Sequence, residues 1–144
     1  MHKLAPLFLA FAIVGCASVT PPRGSFLSDN QQAIEATVAQ DAVTQITALY
    51  PPAHTRIALQ HAATDPFGVA LIEGLRNAGY ALVEFSDTGK QHTELGEPLS
   101  YVLDQLGERN LYRLTVSVGD QSLSRLYLNS DGNTTPAGYW VRKE

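Results

Sequence analysis

The chain has 144 residues, of which 10 are basic and 14 acidic, so its formal net charge is −4. This balance argues against binding nucleic acid through the phosphate backbone, which needs a clustered positive surface. The length allows one domain with a modest core. The single cysteine excludes an internal disulfide.

The first predicted element is an export signal. Lys3 precedes an apolar run over residues 4–14, which would cover about 16 Å as a helix and is too short to span a bilayer. The run leads into Ile13, Val14, Gly15 and Cys16. This ending resembles the lipobox of bacterial lipoproteins. The resemblance implies cleavage before Cys16, with the three preceding residues as the signal-peptidase recognition sequence, and a covalent lipid on the Cys16 sulfur.

The lipid on Cys16 is the predicted membrane anchor. Three acyl chains hold a protein to a bilayer far more firmly than a single chain does, and no second apolar run approaches spanning length. Ala17 resembles the residue found after the cysteine in lipoproteins that are moved to the outer membrane. We therefore expect a lipid-anchored protein on the periplasmic face of that membrane. Loss of Lys3 leaves 9 basic and 14 acidic residues, a net charge of −5.

Residues 16–27 comprise the lipidated cysteine and a polar segment that two prolines interrupt, and we interpret them as a flexible tether. Such a segment could instead order against a partner protein. A helix is predicted to begin at Ser28, with Gln31 completing a capping box, and to end before Pro51. Apolar side chains recur along it at four-residue steps, at Ile34, Val38, Ala42, Ile46 and Tyr50. This stripe could pack on the domain itself or on another protein.

A βαβ unit is predicted next. A strand over residues 55–60 is followed by a helix that Asp65 and Pro66 open and Gly79 closes, and then by a second strand over residues 80–85. Short links between these elements favour parallel pairing of the two strands. Residues 86–97 are predicted to form a loop.

From Pro98 the pattern favours antiparallel strands, although a short helix over residues 99–106 is an alternative. Strands over residues 111–118 and 123–128 are predicted to form a hairpin with a three-residue loop, Gly119-Asp120-Gln121. The register that follows places Leu126 and Leu128 on the apolar face of the preceding strand. It leaves Arg113, Thr115, Arg125 and Tyr127 together on the other face. A two-residue loop would scatter the apolar residues over both faces, which favours three.

Asp131-Gly132-Asn133 marks another turn, and residues 139–142 are predicted to form the last strand. The predicted fold class is therefore α+β: an N-terminal helix, a βαβ unit and an antiparallel C-terminal β-meander. In this interpretation residues 1–15 are a signal peptide that is removed, residues 16–27 are the lipidated tether, and residues 28–144 are a single domain.

Catalytic patterns are missing from the sequence. His54, His61 and His92 lack the i, i+4 spacing of a helical metal site, and neither a nucleophile elbow nor a phosphate loop is present. We therefore predict that the chain is not an enzyme. We expect no small-molecule substrate, no metal and no cofactor apart from the covalent lipid on Cys16.

The polar face of the C-terminal hairpin is the candidate contact surface. In the predicted register Arg113 lies opposite Tyr127, and Asp104 on a neighbouring strand could pair with Arg113 or Arg125. Arg, Tyr and Trp carry many protein–protein hot spots, so this face could dock a partner; the alternative is an ordinary solvated sheet face. Trp140 could belong to the core or to this surface, and the core is favoured.

The C-terminal half resembles the TrbH family of conjugal transfer lipoproteins. The residues that carry the resemblance are Tyr101-Val102-Leu103-Asp104, Leu111-Tyr112-Arg113, Val118-Gly119, Leu123 to Tyr127 and Pro136 to Arg142. It implies a structural subunit of the mating-pair-formation apparatus, a type IV secretion system that transfers plasmid DNA. It also implies contacts with other channel subunits and makes Arg113, Arg125, Tyr127 and Trp140 candidate contact residues, while no catalytic residue is carried over.

An alternative starts from residues 65–80. In their βαβ setting they are similar to periplasmic lipoproteins that bind and regulate envelope proteins or cell-wall enzymes. In that case the chain would be a stand-alone binding module.

Overall fold

A computed structural model describes residues 21–87, 95–107 and 110–144. The predicted lipobox, residues 13–16, lies outside the described residues. Ala17 and His92 also lie outside them. The α-helices are α1 (Gln32–Leu49) and α2 (Pro66–Asn77), with short 3-10 turns at Asp29–Gln31 and Pro52–His54. The strands are β1 (Gly24–Ser25), β2 (Arg56–Leu59), β3 (Ala81–Val83), β4 (Glu97–Gln105), β5 (Leu111–Val118), β6 (Gln121–Ser130), β7 (Asn133–Pro136) and β8 (Val141–Lys143).

The described strands form one mixed sheet in the order β3-β2-β4-β5-β6-β7, with β1 beside β4 and β8 beside β6. The pairs β2–β3, β2–β4 and β1–β4 are parallel, and all pairs from β4 to β8 are antiparallel. The α+β fold class and the parallel βαβ unit are confirmed. The short helix considered over residues 99–106 is wrong, because this segment is the strand β4.

The capping box predicted at Ser28 opens the 3-10 turn Asp29–Gln31, and the α-helix α1 follows from Gln32, four residues after the predicted start. The Gln31 side chain accepts the Ser28 backbone N–H at 3.1 Å, which satisfies a backbone donor that the first helical turn leaves free. Four members of the predicted apolar stripe are buried, and Tyr50 packs against the same core. The stripe therefore faces the protein's own core, and the alternative in which it covers another protein is wrong.

Helix α2 begins at its predicted cap. The Asp65 carboxylate accepts the Gly68 backbone N–H at 2.8 Å, and Pro66 occupies the first turn. Gly79 follows the helix at φ +97°, a left-handed conformation that favours glycine. Phe67, Leu71 and Leu75 of α2 are buried in the same core as the α1 stripe. Both helices therefore pack on the same face of the sheet.

The predicted register of the C-terminal hairpin is wrong. Val118 pairs with Gln121, so the loop is the two-residue turn Gly119-Asp120. A shift of one residue turns every side chain of β6 to the opposite face. Tyr127 therefore lies opposite Tyr112 in the core, whereas Leu126 lies opposite Arg113 on the face that the helices leave uncovered.

We call that uncovered side of β4, β5 and β6 the open face. Its side chains alternate with the buried ones, and it comprises Ser100, Val102, Asp104, Leu111, Arg113, Thr115, Ser117, Ser122, Ser124, Leu126 and Leu128. The opposite face of the same strands carries the core under α1 and α2. The open face is therefore the side of these three strands that neither helix covers.

The turn predicted at Asp131-Gly132-Asn133 is present between β6 and β7, and Asp131 and Gly132 both have positive φ, of 53° and 81°. In the part of the chain that the structure describes, no helix combines the length and the apolar character needed to cross a membrane.

Candidate docking surface and N-terminal attachment

The structure separates Arg113 from the three other residues predicted to form one contact surface, Arg125, Tyr127 and Trp140. Arg113 lies on the open face, opposite Asp104 of β4. Its guanidinium donates to both carboxylate oxygens of Asp104, at 3.1 Å through Nε and 2.6 Å through Nη2, and this bond raises the pKa of Arg113. Arg113 is thus the only one of the four whose side chain belongs to the open face.

Tyr127 lies in the core, with 1% of its surface exposed. Its hydroxyl donates to Asp41 Oδ2 of α1 at 2.7 Å. Burial and the Asp41 carboxylate together raise the pKa of the phenol well above its usual range. Tyr127 therefore joins the sheet to α1, and its predicted position opposite Arg113 on an outward face is wrong because the loop is one residue shorter than expected.

Arg125 holds three parts of the molecule together. Its Nη1 donates to both oxygens of Asp41, at 3.1 and 2.9 Å, and its Nε donates to the Gly138 carbonyl at 2.8 Å. Its guanidinium carbon lies 5.8 Å from the ring centre of Trp140, within the range of a cation–π contact. We call Asp41, Arg125, Tyr127 and Trp140 the Arg125 cluster.

Trp140 is half-buried and packs against the hydrophobic core. The core placement that the sequence favoured is therefore the observed one. The arginine–aromatic contact in this region pairs Arg125 with Trp140, and Arg113 lies opposite Leu126 in place of the predicted Tyr127.

The edge of the sheet beside β6 contains a bulge. Tyr127 pairs with Pro136 of β7, and Ser124 pairs with Val141 of β8. Between these two pairs, β6 has two residues, Arg125 and Leu126, whereas the edge has four, residues 137–140. The edge therefore carries two extra residues. One end of this segment is fixed where the Ala137 N–H donates to the Leu126 carbonyl at 2.8 Å. The sequence did not predict β7 or the bulge, because an interruption in an edge strand has no periodic pattern.

The bulge turns one aromatic side chain fully to solvent. Tyr139 is 93% exposed, whereas its neighbour Trp140 packs inward. Val141, two residues later, is 64% exposed and pairs with Ser124 of the open face. Leu126 and Leu128 of the open face are 36% and 42% exposed. Four exposed large apolar side chains therefore lie along the β6 side of the open face and the adjoining bulge.

The N-terminal segment is attached to the domain rather than leading away from it. β1 pairs with β4, and the Phe26 N–H donates to the Leu103 carbonyl at 2.8 Å. Arg23 donates to the Gln60 carbonyl at 3.2 Å. The sequence assigns this segment to the tether, but Arg23 to Phe26 contact the domain.

Glu35 of α1 also holds the N-terminal strand β1 to the domain. The Ser25 hydroxyl donates to its carboxylate at 2.5 Å, and the Phe67 backbone N–H, in the first turn of α2, also donates to it. Glu35 is 2% exposed. Burial raises the pKa of its carboxyl group, and the bond from Ser25 opposes that rise. One carboxylate thus connects the N-terminal strand to both helices.

His61 fills a gap in the sheet between β2 and β1. Its Nε2 accepts the Tyr101 backbone N–H at 3.4 Å, and its Nδ1 lies 3.2 Å from the Ala62 carbonyl. The neutral ring with its proton on Nδ1 satisfies both contacts. The ring also packs on Tyr101, with 4.5 Å between centres, and the Tyr101 hydroxyl donates to Asp65 at 2.7 Å. Burial lowers the pKa of His61.

A groove of about 590 Å³ runs between α2 and the end of β3. Val69, Ile72 and Phe85 contribute its apolar lining. Arg76 and Glu84, which form an ion pair, also line the groove. Among residues 21–87, 95–107 and 110–144, no three His, Cys, Asp or Glu side chains are grouped so that they could hold a metal ion.

Comparison with known proteins gives one finding. A family model described as "Conjugal transfer protein TrbH" matches residues 20–144. No curated protein and no solved structure matches the chain.

Proposed function

The chain belongs to the TrbH family of conjugal transfer proteins, and from this premise we propose that it is a lipid-anchored, non-catalytic subunit of a conjugative type IV secretion apparatus. Membership associates the chain with the cell envelope and with other transfer machinery. The observation that carries the proposal is the extent of the match, because residues 20–144 include every described helix and strand.

We place the subunit at the periplasmic face of the outer membrane. The lipobox ending in Cys16 and the following Ala17 support this location. Arg23 is the first residue with a side-chain bond to the domain in the described chain. The seven Cα-to-Cα steps from Cys16 to Arg23 can span at most about 25 Å when fully extended. An acylated Cys16 would therefore keep the domain close to the membrane surface.

A role in assembly, without catalysis, agrees with how the polar side chains are used. Asp41 accepts hydrogen bonds from Arg125 and Tyr127, and Glu35 accepts them from Ser25 and Phe67. These buried or half-buried carboxylates hold secondary-structure elements together. We therefore propose that the domain acts by contacting neighbouring subunits of the apparatus.

The test compares the wild-type chain with Cys16→Ser in cells that carry the transfer system. We expect Cys16→Ser to stay unprocessed, to lose palmitate labelling and to lower plasmid transfer. As a matched control, Ser18→Ala lies in the same segment and should be labelled and processed normally. Palmitate labelling of the Cys16→Ser chain, or its normal transfer in the absence of lipid, would refute the anchored role.

A further inference from the structure

We infer that Tyr139 is the docking anchor of this domain, and that it inserts into an apolar pocket, bordered by a carboxylate, on another protein subunit of the transfer apparatus. The inference rests on the proposed function, because it takes the domain to work by contacting other subunits. It names a residue that lies outside the Arg125 cluster and outside the surface predicted from the sequence.

The backbone that precedes Tyr139 is held in place at two residues. The Ala137 N–H is bonded to Leu126, and the Gly138 carbonyl is bonded to Arg125. Arg125 is itself fixed by the carboxylate of Asp41. A bulge directs a side chain away from the regular strand surface. Because the backbone on its N-terminal side is already ordered, docking through Tyr139 would cost less entropy than docking through a flexible loop.

The exposure of Tyr139 indicates the shape of the partner. At 93% exposure almost the whole ring is free of contacts with its own domain. A flat surface would contact only part of such a ring, whereas a pocket would bury both of its faces. A phenol is largely apolar and carries one hydroxyl group, so the pocket should be apolar with a hydrogen-bonding group for the hydroxyl.

The surroundings of Tyr139 indicate the chemistry of the partner. Val141, Leu126 and Leu128 supply exposed apolar surface, and the charges of Arg113 and Asp104 satisfy each other. Lys143 lies opposite Ser122 of the open face, and it takes part in none of the ion pairs formed by the described residues. Its ammonium group would therefore favour a carboxylate at the border of the pocket.

The same edge is poorly suited to bind a partner by adding a strand. Pro136 has no backbone N–H to offer, and residues 137–140 interrupt the edge between β7 and β8. Proline, bulges and lysine at an edge are features that oppose strand pairing. Contact through side chains, with Tyr139 at the centre, is the mode that this edge allows.

The experiment places a photo-cross-linking amino acid at position 139 of the full chain, in cells that carry the transfer apparatus. Position 85 serves as the control, because Phe85 is also an exposed aromatic residue and lies at the other end of the sheet. We expect position 139 to form an adduct that mass spectrometry identifies as another protein of the apparatus. We expect position 85 to form no such adduct.

Substitutions then test the chemistry. Tyr139→Ala should lower plasmid transfer at least about tenfold and weaken binding to the identified subunit by about 30-fold, as expected for a hot spot. Tyr139→Phe should retain most of the transfer, Phe85→Ala should leave transfer unchanged, and Lys143→Glu should reduce the adduct at position 139.

Several results would overturn the inference. They are an adduct only with lipid, an adduct only with a second copy of this chain, no adduct, or normal transfer by Tyr139→Ala. Palmitate labelling and membrane fractionation of the wild-type chain are measured in parallel. If the wild-type chain carries no palmitate, the proposed anchoring is refuted. If it is labelled normally but position 139 forms no adduct with another protein, the docking anchor alone is refuted.

Discussion

Tyr112 of β5 and Tyr127 of β6 lie directly opposite each other on the buried face of the sheet. Their hydroxyl groups bond to different parts of the N-terminal region: Tyr112 accepts the Gln31 amide at 2.9 Å, and Tyr127 donates to Asp41 at 2.7 Å. This pair fixes the register of the hairpin, since a shift of one residue would bring Leu126 inward and expose Tyr127.

The two-residue turn that goes with this register can be tested at Gly119. Gly119 has φ +62° and is the first residue of the two-residue turn, a position that favours glycine in type II′ turns. We expect Gly119→Ala to lower the free energy of unfolding by about 1–2 kcal/mol, because a side chain is disfavoured in the left-handed region. Urea denaturation of the purified domain measures the change.

Asp120→Ala is the control for Gly119→Ala. Asp120 is exposed and is the second residue of the same turn, so we expect a change within about 0.5 kcal/mol, as for an ordinary surface substitution. An unchanged midpoint for Gly119→Ala would show that the left-handed conformation at Gly119 does not require glycine.

The error in the predicted register has a physical origin. Arg125 and Tyr127 carry polar atoms, and pattern reasoning therefore placed them outside. Asp41, which accepts their hydrogen bonds, is 84 residues from Arg125 along the chain. No local pattern reveals such a partner, so the sequence could not show that a buried position was available to these side chains.

A second prediction compares the two arginine–aspartate pairs. Asp41→Ala should destabilise the domain by about 3 kcal/mol, because it leaves the partly buried Arg125 guanidinium and the buried Tyr127 hydroxyl without their acceptor. Asp104→Ala removes the acceptor of the more exposed Arg113 and should cost less than about 1 kcal/mol. Equal losses in urea denaturation of the two variants would contradict the structural role assigned to the Arg125 cluster.

Structural features that depend on residues close together in the sequence were predicted more fully than pairings between distant parts of the chain. The Asp65 cap, the Gly79 ending and the parallel strands of the βαβ unit follow from residues within one motif, and all are present. The parallel pairing of β4 with β2 and with β1 was not predicted. It depends on how the chain returns across the sheet, which no short pattern records.

A third prediction concerns the effect of pH through His61. Because burial lowers the pKa of His61 in the folded state, the unfolded chain binds more protons there, and the free energy of unfolding should fall as pH drops below about 6.5, the ordinary value. Protonation of Nε2 would also remove the acceptor for the Tyr101 N–H. His61→Gln should lose this part of the pH dependence, as measured by urea midpoints between about pH 8 and pH 5.5.

His54→Gln is the matched control, because His54 is exposed on the 3-10 turn before β2. Glu35, whose raised pKa gives a contribution of opposite sign, is present in all three chains and cancels in the comparison. If His61→Gln kept the full pH dependence of the wild type, His61 would not be the source of that dependence.

The last prediction tests how the N-terminal segment is held to the domain. Ser25→Ala removes the hydroxyl that donates to Glu35 and accepts the Leu27 N–H at 3.4 Å, and it leaves the backbone pairing of β1 intact. The loss of one hydrogen bond to a charged group costs about 1.5–3 kcal/mol, and we expect it to appear as local opening of β1. The Phe26 amide, which donates to Leu103, should then exchange with deuterium about 10- to 100-fold faster.

Two controls test whether the opening is local. Amides of β5 should keep their wild-type exchange rates, because Ser25 forms no hydrogen bond with β5 among the described residues. Ser130→Ala, at an exposed position in β6, should leave the Phe26 amide unchanged. If the Phe26 amide exchanged at the wild-type rate in Ser25→Ala, the strand pairing alone would hold the segment, and Glu35 would serve the two helices only.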